Sequence, residues 1–327
     1  MPPIPRFWTA LHMVLVLAAS AAAQSPEWVK PSLPSLPSTR CCGSMAYDGA
    51  TGLTVLFGGG NGGIYPAIRF NDTWTFSSTK GWSQLSPVTS PSPRQGAGIA
   101  YDPTTGTIVL FGGCPSWETT ISDTWTWDGV TWTQQFPPVS PPARVFDTQG
   151  MAYDAATETV VMFGGGFGDT WTWNGRTKTW TQKFPATSPP PSNATIAYDA
   201  ASGKVVLFGG TDNQGSDLNQ TWTWDGAAWT QQFPAASPSP RALPSMAYDS
   251  NTRKVVLFGG TAGPPSALND TWNWNGTSWT QQQTSTDPPA RWAAAMTFDP
   301  YLKGLILFGG ELSGDPFAND TWLFKSQ

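Results

Sequence analysis

Apolar and polar positions along the chain recur in blocks with a period of about 50 residues. One unit is clear from Leu243. LPSMAYD reads as a short apolar strand, SNTRK as a tight turn, and VVLFGG as a wholly apolar strand ended by two glycines. After a loop, DTWNWN places Trp272 and Trp274 on one side of a strand of period two. GTS then turns the chain into WTQQ, so each unit is predicted to form four short antiparallel strands. No segment after the N-terminal leader has helical periodicity of useful length.

The unit occurs six times. LFGG or MFGG ends at Gly59, Gly113, Gly165, Gly210, Gly260 and Gly310, and a tryptophan strand follows each, centred on Trp74, Trp125, Trp171, Trp222, Trp272 and Trp322. A second tryptophan strand follows at Trp82, Trp132, Trp180, Trp229 and Trp279, but the sixth unit stops at NDTWLFKSQ, after its third strand. The missing piece stands at the other end of the chain. In PEWVKPSLPSLPSTR, Trp28 precedes Arg40 by twelve positions, the same interval that separates Trp82 from Arg94, Trp132 from Arg144, Trp229 from Arg241 and Trp279 from Arg291. EWVK is therefore predicted as the fourth strand of the last unit. A ring closed this way leaves no terminal unit with an exposed apolar face.

The double glycine, the tryptophan about a dozen residues later and the next tryptophan seven to nine residues beyond resemble kelch repeats, and the resemblance covers essentially the whole chain after the leader. It implies an all-β, six-bladed β-propeller with four antiparallel strands per blade, as one domain over residues 24–327, with residues 26–40 as closing strand and linker.

Composition agrees with many strands and turns. The chain has 34 Gly and 31 Pro, yet 19 Trp and 17 Phe supply the apolar area a disordered chain lacks. With net charge −5 and no basic run, a nucleic-acid partner is not expected. Residues 1–23 read as a signal peptide: Arg6 is the basic start, an apolar run begins near Leu11, and ASAAA marks cleavage near Ala23–Gln24. A secreted, periplasmic or cell-surface location is expected, with no membrane span in the mature chain.

Residues that recur in every unit are read as structural. The aspartates of YD (Asp48, Asp102, Asp154, Asp199, Asp249, with Asp299 in FD) are placed to bond the turn backbone, and those of DTW (Asp72, Asp123, Asp169, Asp270, Asp320) to do the same before the third strand. Arg40, Arg94, Arg144, Arg241 and Arg291 precede the innermost strand, with Asn193 in their place in blade four. They are candidates for an anion-attracting ring at the channel mouth, or else tie each blade to neighbouring carbonyls.

Departures from the repeat point to a ligand face. Between the double glycine and the third strand four blades have nine residues, blade one has twelve and blade three has three; from Arg to YD blade three is two residues longer than most. These irregularities share one face, and loops on one face of a repeat array often bind ligands. The off-pattern Trp117 and Trp292 are candidate sugar-stacking or partner anchors, with Phe146, Asp147, Glu118, Tyr65 and Arg69 as weaker candidates on the same face. Cys114 is expected to bridge to Cys41 or Cys42 across neighbouring blades.

The one histidine, His12, lies in the leader, which removes His-based catalysis and nearly all zinc or copper sites from the mature protein. Galactose oxidase, a kelch propeller, needs histidines for its copper, so its activity does not carry over, and no cofactor is expected. The expected function is non-catalytic recognition of a protein or glycan by a monomer. The alternative is a carbohydrate-active enzyme working through carboxylates, such as a sialidase-like hydrolase or sugar isomerase, in which the arginines would meet the substrate. TWDGVTW is one residue short of an Asp-box, and no spacing of acids marks a catalytic pair. A purely structural envelope component is the third possibility.

Overall fold

The structure, a computed structural model, describes residues 25–61, 68–116, 118–263 and 266–326. Six four-stranded antiparallel sheets form the blades of a propeller, and no helix occurs among the described residues. Blade five shows the plan: inner strand Ser245–Asp249, then Lys254–Phe258, Thr271–Trp274 and the outer strand Trp279–Gln282. The sixth blade takes its outer strand from the start of the chain. Glu27–Val29 pairs antiparallel with Thr321–Lys325, with Trp28 opposite Phe324, as the sequence predicts.

Packing between blades repeats around the ring. Each outer-strand tryptophan donates its indole N–H to the threonine that opens the third strand of the preceding blade. The pairs are Trp28–Thr271, Trp82–Thr321, Trp132–Thr73, Trp180–Thr124, Trp229–Thr170 and Trp279–Thr221, all at 2.8–3.0 Å. Each of these indoles also packs against the phenylalanine ending the second strand of that same preceding blade, as in Phe57–Trp132 and Phe258–Trp28, with ring centroids 5.1 and 5.0 Å apart. A buried indole needs a partner for its N–H, and the threonine supplies it without a charge. Trp28 makes both contacts, so the closing strand is held like any other.

Two faces result. On the turn face, the YD aspartates accept from backbone two residues on, as Asp48 does from Ala50 N–H at 3.0 Å and Asp249 from Asn251 N–H at 2.9 Å. The opposite, linker face carries the outer-to-inner linkers and the loops between second and third strands. There blade one adds a two-stranded hairpin, Gly60–Asn61 with Ile68–Arg69, and blade six a small sheet of Arg291–Trp292, Glu311–Leu312 and Asp315–Phe317.

Candidate functional site

The five linker arginines do not present their charges to a ligand. Arg40, Arg94, Arg144, Arg241 and Arg291 are each about 1 % exposed. Every one is held by the DTW aspartate of its own blade: Arg40 donates to both Asp72 oxygens at 2.6 and 2.8 Å, and Arg241 to Asp270 at 2.6 and 2.9 Å. A further N–H of Arg40 goes to Gly58 O at 2.8 Å, and the Trp74 indole completes the Asp72 carboxylate at 2.7 Å. Burying a guanidinium demands such a partner, because an unpaired charge in the interior is very costly. The anion-attracting ring is thus corrected to a set of blade latches. Blade four lacks both charges together: Asn193 replaces the arginine, and Gln220 replaces the aspartate and still accepts from the Trp222 indole at 2.9 Å. Burial opposes ionisation of Asp169, Asp270 and Asp320, but the hydrogen bonds and charge of their arginines outweigh it and hold these carboxyls below the usual range.

Two residues past the arginine the chain turns left-handed, at Cys42 (φ 55°), Gly96 (62°), Leu243 (53°) and Ala293 (52°). This turn lets the linker backbone of one blade bond to the next. Ala293 N–H donates to Leu243 O, Cys42 to Ala293 O, Gly96 to Cys42 O and Phe146 to Gly96 O, at 2.8–3.0 Å. Blade three, with its longer linker, moves the left-handed residue to Asp147 (φ 58°) and sends the extra residues into the channel. Phe146, a candidate for the ligand surface, is instead core at 1 % exposure, wedged beneath Gly98 and Gly150, where a Cβ would overlap its ring. Gln149 links the inner strands of blades two, three and four, its amide donating to Ile99 O at 2.6 Å and Met151 O at 2.8 Å and its carbonyl accepting from Ile196 N–H at 2.8 Å. It borders a cavity of about 10 Å³ on the linker side, room for about one water, and a cup of about 310 Å³ on the turn side, bordered by Tyr101, Tyr153, Tyr198 and Tyr248.

Above the plug, three irregular blades meet at the mouth. Asp147 comes from blade three, Arg69 from the blade-one hairpin, and Trp292 and Glu311 from blade six, around Cys42. Burial pushes the Asp147 carboxyl up, opposed by the Arg69 charge and by the neighbouring Cys42 thiol. Burial likewise raises Glu311, opposed by the Trp292 indole N–H, which donates to it. The Cys42 thiol is pushed well up, first by its contact with Cys41, then by burial and by the nearby Asp147 and Glu311 carboxyls. Cys114 is raised by burial, against the pull of Arg69. Asp147, near Arg69, and Glu311 both resist ionisation and can exchange hydrogen bonds with hydroxyl, amide or carboxylate groups.

Of the sequence candidates, Asp147 and Arg69 meet here, and Trp292 lies beneath, 8 % exposed. Glu118 is exposed on the blade-two loop, while Trp117 and Tyr65 lie outside the described residues. The expected Cys114 bridge is replaced by another contact. Cys114 donates to Ser116 O at 2.7 Å, and the thiol beside Cys42 is Cys41, at 3.0 Å between sulfurs. Among the described residues, no group of three or more His, Cys, Asp or Glu is placed to hold a metal ion.

The linker face also carries residues that sequence reasoning passed over. Phe136, Phe184 and Phe233 are each 83 % exposed, and each directly follows the outer strand of blades two, three and four. Those strand ends pair with the start of the third strand (Gln135 with Thr124, Lys183 with Thr170, Gln232 with Thr221), which fixes the phenylalanines on the linker face. The signal was present in WTQQFP, WTQKFP and WTQQFP, where an aromatic ends a polar strand three times at one position.

A family model described as the KLHDC2/KLHL20/DRC7 Kelch-repeats domain matches residues 150–327. Among solved structures, one titled "Structure of YjhT" is similar over 89 % of this chain and 96 % of its own, with a TM-score of 0.65 and 15 % sequence identity, a likeness of fold. No curated protein matches. With a family model covering more than half of its length and all six blades built to one plan, this chain belongs to the kelch-repeat family.

Proposed function

We propose that the protein is an exported, non-catalytic recognition module that binds a protein or glycan across its linker face. The observation that carries this reading is the row of rim phenylalanines. Three large apolar side chains at 83 % exposure, repeated on consecutive blades beside the irregular loops, are what a docking surface supplies and a free surface avoids. The latched arginines support it from the other side, since their burial leaves the mouth, among the described residues, without the cationic cluster that a sialidase-like site needs. The signal-peptide pattern of residues 1–23 supports export, and a monomer fits a ring that closes on itself.

The test is saturable binding to glycan and cell-surface protein arrays, run in parallel with a Phe136→Ser, Phe184→Ser, Phe233→Ser variant. Loss of at least tenfold in affinity by a variant of unchanged melting temperature is the expected result. Undiminished binding would remove the rim from the interface.

A second reading keeps one observation of its own. Asp147 and Glu311 both act on Cys42 and are both raised by burial, as a general acid would be. Reporter glycosides assayed with the wild type and with Asp147→Asn and Glu311→Gln would reveal hydrolysis that depends on the pair; no turnover by the wild type would set this reading aside.

A further inference from the structure

Cys41 and Cys42 stand at the neck of the linker ring, 7 % and 8 % exposed, with their sulfurs 3.0 Å apart. That is closer than the roughly 3.5–4.0 Å at which non-bonded atoms rest, and about 1 Å beyond a disulfide bond. The two sulfurs are turned toward each other. Cys41 N–H is tied to Gly60 O at 2.9 Å and Cys42 N–H to Ala293 O at 2.9 Å, so the main chain on either side of the pair is already fixed. The left-handed turn at Cys42 belongs to the ring itself, since Gly96, Leu243 and Ala293 share it. The two thiols are therefore held in contact by a frame that exists for other reasons.

We propose that Cys41 and Cys42 are a redox modification site that closes to a vicinal disulfide. The oxidant is a disulfide compound, small molecule or protein. The thiolate of one cysteine attacks its S–S bond, forming a mixed disulfide and releasing one thiol. The thiolate of the other cysteine then attacks the protein sulfur of that mixed disulfide, closing the Cys41–Cys42 bond and releasing the second thiol. In total the protein gives up two protons and two electrons, and one disulfide is reduced to two thiols. Neighbouring Cα atoms lie about 3.8 Å apart, short of the usual 4.4–6.8 Å across a disulfide, so the ring is strained and readily reduced. Labile disulfides of this kind are the regulatory ones.

The consequence falls on the mouth. Cys42 lies beside the Asp147 carboxyl and gives its S–H to Cys41; oxidation removes that thiol proton and turns the sulfur at the mouth from a thiol into a disulfide. On the reading of the mouth as part of the ligand face, affinity then depends on the redox state. The bond itself does not rest on that reading, and its test needs no ligand.

The purified protein would be incubated with oxidised or reduced glutathione, unfolded in acid, alkylated and weighed, with peptide mapping of the adducts. The expected oxidised species has lost two hydrogens and alkylates at Cys114 alone; excess reduced glutathione in native buffer returns three alkylated cysteines. A Cys114→Ser variant should lose the same two hydrogens. Three free thiols after oxidation, a lasting glutathione adduct, or a bridge to Cys114 would each overturn the assignment, and a bond reducible only after unfolding would overturn its lability. Equal ligand affinity of the oxidised and reduced forms would overturn the link to the mouth while leaving the bond in place.

Discussion

Blade four poses an experiment that can be repeated in blade five. Arg241 is 1 % exposed and bound through Asp270 at 2.6 and 2.9 Å, Gly259 O at 3.0 Å and Ser239 O at 3.1 Å. Replacing Asp270 with Gln leaves the Trp272 indole an acceptor, as Gln220 does for Trp222, but strands the buried guanidinium. At about 2.6 Å and an effective dielectric of 20, the lost attraction is about 6 kcal/mol before any relaxation. Measured losses for breaking a buried pair from one side are about 3–5 kcal/mol. For roughly 300 residues the unfolding entropy is about 0.6 kcal/mol/K, so the melting temperature should fall by about 5–8 °C. Adding Arg241→Asn removes the stranded charge and reproduces the blade-four pair, and the double variant should recover most of that loss. The assay is thermal and urea unfolding of the wild type, both single variants and the double. Additive single effects, with coupling below about 1 kcal/mol, would refute the argument that blade four lost both charges because neither is tolerable alone.

Three further outcomes follow from the same packing. Asp169, Asp270 and Asp320 are held below the usual carboxylate range, so their contribution is complete above the unfolded value near 3.9 and is lost as pH falls through the folded one; stability measured from pH 7 downwards should hold to about pH 5 and then drop, less steeply in the Asp270→Gln, Arg241→Asn variant. Trp28→Ala empties the closing contact with Phe258, Phe324 and Thr271, and should cost about 3–5 kcal/mol while opening the 26–40 linker to limited proteolysis, read by mass spectrometry. Gly150→Ala would drive a methyl into the Phe146 ring, so the variant should melt several degrees lower, and Phe146→Leu in the same chain should recover part of the loss.

Much of this molecule follows from the chain read in order. The repeat, the six blades and the closure through Trp28 are legible because each unit packs only on its neighbours, so one unit's pattern states the contacts of all. The YD aspartates are legible for the same reason, since a carboxylate bonding backbone two residues away needs no tertiary partner. Tertiary structure decided the rest. Only the fold reveals that Arg40 and Asp72, 32 positions apart, cancel each other inside one blade, which turns an apparent anion ring into latches. Likewise, residues 69, 147 and 311 stand in segments added outside the blade strands, with no repeated template, and their meeting beside Cys42 depends on the ring bringing blades one, three and six to one mouth. The cysteines show the limit most plainly. Proximity in the repeat pointed to Cys114, but the left-handed turn at Cys42 aims its sulfur at Cys41 instead. A sequence states which residues repeat; where the repeat breaks, side-chain direction is set by backbone that several blades hold in common.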